Sequence, residues 1–86
     1  MFTLHYKPEA QKQISKLDKF ARNKIILYLE SRVAKNPRKF GKALSANLAG
    51  YWRYRVGDHR IICEIKNKEL IVFVIEIGHR REIYEK

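Results

Sequence analysis

The segment Gly78-His79-Arg80-Arg81-Glu82-Ile83-Tyr84-Glu85-Lys86 brings together an imidazole, two fixed positive charges and an aromatic face. It follows the most apolar strand pattern of the chain, residues 70–77, so these groups are expected at the rim of a sheet. Guanidinium groups hold phosphate, an aromatic ring stacks on a nucleobase, and an imidazole titrates near neutrality. Three more arginines carry the same chemistry. Arg53 and Arg55 alternate in Tyr51-Trp52-Arg53-Tyr54-Arg55-Val56, and Arg60 opens the next strand pattern. Arginine suits a phosphate site because its planar fork pairs bidentately and keeps its charge at any relevant pH.

Period-2 alternation predicts the orientation of these groups. Trp52, Tyr54 and Val56 share one face of their strand, while Tyr51, Arg53 and Arg55 share the other. If the aromatic set packs inward, both arginines project from the open face of a sheet. Arg60 lies just across a two-residue turn, and Arg80 and Arg81 leave the following strand. Five guanidiniums from three strands are thus expected to form one concave, exposed patch. Lys39 and Lys42, on a basic connector that also carries Arg38, are counted with them as RNA-contacting cations.

The elements needed to position these groups are legible in order. Phe2, Leu4 and Tyr6 alternate with Thr3 and His5 as a short strand. Pro8 and Glu9 suit a first helical turn, and Ala10, Ile14 and Leu17 form one apolar stripe. Asp18 is a candidate N-cap for a second helix from Lys19 to about Lys35, with Ala21, Ile25, Ile26, Leu29 and Val33 on one face. Asn36-Pro37 ends it. The connector Pro37–Gly50 is expected to hold a turn of helix around Leu44. Strands 51–56, 59–65 and 70–77 follow, joined by Gly57-Asp58 and by Lys66-Asn67-Lys68-Glu69. The fold class is therefore α+β, in the order β-α-α-β-β-β, with a helical hairpin packed on an antiparallel sheet.

At 86 residues the chain has room for one domain, taken as residues 1–86, with a thin core. A formal charge of +10 costs stability by self-repulsion and points to a polyanionic partner. No basic helix has an apolar face to spare, so nucleic acid is favoured over a membrane surface. No apolar run approaches the roughly 20 residues of a membrane span, and the first residues do not resemble an export signal. A cytoplasmic location is expected. Cys63, the single cysteine, lies in an apolar strand pattern and reads as a buried core thiol.

The order of elements, together with Tyr51-Trp52-Arg53-Tyr54-Arg55-Val56, His59-Arg60-Ile61-Ile62-Cys63-Glu64-Ile65 and Gly78-His79-Arg80-Arg81-Glu82-Ile83-Tyr84, resembles the RelE family of bacterial toxins. That family belongs to the RelE/ParE superfamily of toxin–antitoxin modules, and the resemblance covers essentially the whole chain. It implies an endoribonuclease that cuts messenger RNA in the ribosomal decoding site without a metal, restrained by a cognate acidic antitoxin. It further implies that Arg53 and Arg55 hold the RNA backbone. Arg60 and Arg80 would act on the scissile phosphate, and Tyr84 would stack on a base and assist proton transfer. Family members often carry lysine at the positions of Arg53 and Arg55. Arginine is never deprotonated here, so the role that carries over is charge stabilisation alone.

The residue inventory is compatible with that chemistry. Asp18 and Asp58 are the only aspartates, the glutamates are scattered, and no zinc-ligand spacing occurs, so no metal or cofactor is expected. RNA can be cut by its own 2′-hydroxyl attacking the adjacent phosphorus, leaving a 2′,3′-cyclic phosphate and a 5′-hydroxyl. Arginines would neutralise the phosphorane, and alignment of the RNA would supply a further share of the rate. The proton-transfer step needs a titratable group. His79, Tyr84 and Glu82 are the candidates, with Tyr84 favoured. His5 and His59 are read as surface or strand-edge residues, and Trp52 and Tyr54 as core. Two other readings stand beside this one: a ParE-like poison of DNA gyrase, and a basic RNA-binding module without catalysis.

Overall fold

Alternating apolar residues at the start of the chain form strand β1, Thr3–Tyr6, in a computed structural model that describes residues 1–79. Helix α1, Pro8–Ser15, begins at the proline, whose missing N–H costs nothing in a first turn. Helix α2, Lys19–Tyr28, is capped by Asp18, whose carboxylate accepts from the Ala21 N–H at 2.7 Å. β2 is Lys42–Ala43, β3 Trp52–Val56, β4 His59–Lys66 and β5 Ile71–His79.

The five strands form one sheet in the order β1-β5-β4-β3-β2. β1 runs parallel to β5, and the other pairs are antiparallel. The outer edge of β1 is tied off at both ends. The Phe2 N–H donates to the Ala34 carbonyl at 2.7 Å, and the Gln11 amide donates to the Tyr6 carbonyl at 2.9 Å. Both helices lie on one face. Ala10, Ile25, Leu29 and Val33 there meet Tyr54, Val56, Ile61, Cys63, Val72, Val74 and Ile77 in the core. Burial pushes the Cys63 thiol pKa up, so it is an inert core group.

Four features depart from the sequence reading. The second helix does not run on in α geometry to Lys35. It widens after Tyr28 into a π-helical turn, Leu29–Val33, in which the Ala34 N–H reaches the Leu29 carbonyl at 2.8 Å. The Ser31 hydroxyl donates to the Leu27 carbonyl at 2.6 Å beside this turn. The connector holds a short strand, β2, and its helical turn is a 3₁₀ turn at Ala46–Leu48, after Leu44. Gly41, ahead of β2, has φ +69°, and a Cβ there would collide with the Arg53 carbonyl. Leu70 does not start the last strand. It closes the preceding turn at φ +57°, and the strand extends instead through Gly78 and His79.

The fourth departure bears on the site. The β4–β5 register shifts between Ile62 and Cys63, which pair with Glu76 and Val74. Ile75 is thus the extra residue of a bulge. The shift lets Val72, Val74 and Ile77 all enter the core despite their mixed spacing. It also places Gly78 opposite Arg60 and His79 opposite His59.

Candidate nucleic-acid interface

The face of the sheet away from the helices collects positive charge. On β3, Tyr54 and Val56 are buried while Arg55 is exposed and Arg53 half-buried, as alternation requires. Cross-strand pairing then fixes the neighbours. Arg55 is opposite Arg60, Arg53 is opposite Ile62, and Lys42 of β2 is opposite Arg53. Directly paired residues project to the same side, so Lys42, Arg53, Arg55 and Arg60 share one face. Like charges placed directly across a ladder repel, and a polyanion laid over them relieves that repulsion.

Arg60 corrects the expectation of an exposed patch. Its side chain is 1% exposed and is the largest fully buried one among the described residues. It sits on β4, the central strand, paired with Arg55 on one side and with Gly78 on the other. Burial of a permanently charged guanidinium is costly without compensating interactions, so Arg60 belongs to the architecture of the site as well as to its charge.

The remaining sequence candidates are placed less centrally. His79 is exposed and faces His59, with ring centroids 6.1 Å apart. It alternates with Gly78, so it projects to the opposite side of β5 from the Arg55–Arg60 row. Lys39 lies with its amine 6.0 Å from the Phe40 ring. Arg38 spans from the Trp52 ring, at 5.7 Å, to Asn67, to which it donates at 2.6 Å. Arg80, Arg81, Glu82 and Tyr84 lie outside the described residues. Among the described residues no group of three or more His, Cys, Asp or Glu side chains is placed to hold a metal ion.

Trp52 and Tyr54 anchor this face from beneath. The Trp52 N–H donates to the Phe40 carbonyl at 2.6 Å, and the Tyr54 hydroxyl donates to the Pro37 carbonyl at 2.7 Å. Burial pushes the Tyr54 hydroxyl pKa up, so it remains a neutral donor. Tyr54 is core as expected; Trp52 is only half-buried, at the core margin.

Sequence reasoning missed the flank of the site. Two adjoining hollows lie where β3 runs past the end of β2. One, of about 280 Å³, is lined by Tyr28, Gly41, Lys42, Arg53 and Arg55. The other, of about 410 Å³, includes Lys24, Tyr28, Ser31, Arg32 and Arg55. Tyr28 and Arg55 belong to both. The i, i+4 spacing of Tyr28 and Arg32 on the second helix is the signal in the sequence that points to it.

Comparison with known proteins gives a consistent likeness. Residues 4–84 match a family model described as ParE toxin of type II toxin-antitoxin system, parDE. The chain is 24% identical over 85 residues to Toxin RelG of Mycobacterium tuberculosis, covering 99% of this chain and 98% of that one. It superposes on the toxin–antitoxin complex RelBE2 of M. tuberculosis with a TM-score of 0.87 at 23% identity, covering 92% of this chain and 91% of the other. The isolated Escherichia coli RelE toxin gives 0.78 at 22% identity, covering 99% and 93%.

Proposed function

The chain belongs to the ParE toxin family, within the RelE/ParE superfamily of type II toxin–antitoxin toxins, and from this we propose that it is an endoribonuclease cutting messenger RNA on the ribosome. The observation that supports this most is the alignment of Lys42, Arg53, Arg55 and Arg60 on one face of the sheet. Such a face binds a polyanionic chain and neutralises charge on a phosphorane, often the largest contribution to phosphate chemistry. In this reading Lys42, Arg53 and Arg55 hold the RNA backbone. Arg60 fixes the scissile phosphate from its enclosed position, so its fork is already oriented when substrate arrives. Arg80 and Tyr84 are assigned to the same site by family resemblance, Arg80 to the scissile phosphate and Tyr84 to base stacking and proton transfer, and Arg81 by its place in the sequence beside Arg80. His79 retains a supporting role at the rim.

The reaction is attack by the 2′-hydroxyl on the adjacent phosphorus. The proton leaves the 2′ oxygen, the P–O5′ bond breaks, and a proton is delivered to the departing 5′ oxygen. The products are a 2′,3′-cyclic phosphate and a 5′-hydroxyl. A cognate acidic antitoxin is the expected partner. RelBE2 and E. coli RelBE are toxin–antitoxin complexes of the same fold, and the +10 charge suits an acidic companion.

Incubation with translating ribosomes, followed by mapping of message ends, tests the proposal. Internal cuts ending in cyclic phosphate are expected. Intact messages overturn it. A second reading is kept because the matching family model is described as a ParE toxin: a non-nuclease poison of DNA gyrase. Loss of supercoiling with messages uncut selects that reading, and intact messages with salt-sensitive RNA binding select a plain binding module.

A further inference from the structure

We infer that the groove around Tyr28, on the flank of the sheet, is a second binding site for single-stranded RNA, taking nucleotides that lead away from the arginine face. This inference rests on the RNA reading of that face. Among the described residues β2 pairs with Trp52 and Arg53 alone, which leaves residues 54–56 as an open stretch of edge, and the two hollows meet there. They share Tyr28 and Arg55, and both lie near the size of small-ligand pockets. The lining gathers five cations around one aromatic ring: Lys42 and Arg53 in one hollow, Lys24 and Arg32 in the other, and Arg55 in both. None of the described residues lining them is acidic.

Two of these cations are already positioned. The Arg32 guanidinium stands 5.8 Å from the Tyr28 ring and 5.7 Å from that of Phe40. The Lys24 amine reaches the β3–β4 turn, where a Cβ added to Gly57 would lie 3.7 Å from it. Tyr28 is itself braced edge-on by Phe40 and Tyr54, with centroids 6.3 Å away in each case. Cations gathered around a braced ring match a phosphate backbone beside a stacked base. An apolar partner helix fits less well, because Val56 is only 6% exposed and Leu27 is the one exposed aliphatic side chain in the lining.

The test is binding of a short single-stranded RNA with 2′-O-methyl riboses, followed by fluorescence anisotropy over a range of salt concentrations. Such RNA cannot undergo 2′-hydroxyl attack, so its binding reports this site whether or not the chain proves to be a nuclease. Arg32→Ala and Lys24→Ala, both at exposed positions, should each make the log–log salt dependence shallower by about 0.7. Tyr28→Leu should weaken binding about tenfold, with circular dichroism confirming that it folds. Lys68→Ala, on the exposed β4–β5 turn, should leave the salt slope unchanged. The site is overturned if Lys68→Ala flattens the slope as much as Arg32→Ala does, or if Arg32→Ala changes nothing. It is equally overturned if Arg32→Ala spares RNA binding but abolishes binding of a polyglutamate peptide, which would assign the groove to an acidic protein. Message cleavage by a protein whose RNA affinity ignores Arg32 removes this site and leaves the nuclease proposal standing.

Discussion

Arg55 and Arg60 face each other across one rung of the sheet, yet one is exposed and the other sealed. Their substitutions should therefore separate. Arg55→Ala is expected to change stability by no more than about 0.5 kcal/mol, as for other surface positions. Arg60→Ala empties a fully buried position and should cost about 1–3 kcal/mol, lowering the melting temperature by several degrees. Arg60→Lys restores bulk and charge without the planar fork, so it should recover stability while message cleavage stays slow. Parallel melts and cleavage assays check all three. Tyr6 offers an independent test of burial. Its hydroxyl is enclosed with no hydrogen-bond partner among the described residues, and its pKa is pushed up to about 12, chiefly by burial and secondarily by Glu30 and Cys63. In the unfolded chain it titrates at 10.0. The fold thus holds this proton longer than the unfolded chain does. The Tyr6 contribution is undiminished below about pH 10 and declines as pH rises toward 12. Tyr6→Phe should remove that decline and leave neutral-pH stability unchanged or raised, as read by denaturant titration at both pH values.

Among the elements, β3 was the most legible because its two faces differ in kind: aromatic and aliphatic residues alternate with arginines. Asp18 was equally clear, since a helix start needs a side-chain acceptor in that position. Where the pattern has no contrast, reasoning from periodicity fails. Val72-Phe73-Val74-Ile75 is apolar throughout, so nothing marks Ile75 as the extra residue or shows that the alternation inverts after it. The π turn is hidden similarly, because Leu29 and Val33 satisfy an ordinary helical spacing. Alternation also indicates which face a residue occupies but not how deeply it lies, so Arg60 could be placed on the arginine face and still be misjudged as exposed. β2 is too short to carry any periodicity. Its geometry depends on Gly41, which combines a left-handed backbone with direct approach to the Arg53 carbonyl. Gly41→Ala should cost more than about 1 kcal/mol and loosen Lys42 from its place beside Arg53. Faster amide exchange in Lys42 and Arg53 than in β4 is the measurement that checks it.

Across the molecule, charge and topology have opposite effects on stability and on binding. A domain with a charge of +10 is stressed by its own field, so raising salt from a low starting concentration should raise its melting temperature. The same salt should weaken its hold on RNA. A melting temperature that falls over that range would show that attractive pairs dominate the surface. Topology acts on a different timescale. The partners of Thr3 and Leu4 in the parallel β1–β5 pair are Ile71 and Val72, and β5 also flanks the central strand. A nascent chain still threaded through the exit tunnel has its first strand but not the one beside it, and the Arg60 rung is missing one wall. The sheet can be completed only when β5 emerges, so the first strand made must wait unpaired through the synthesis of every element between them.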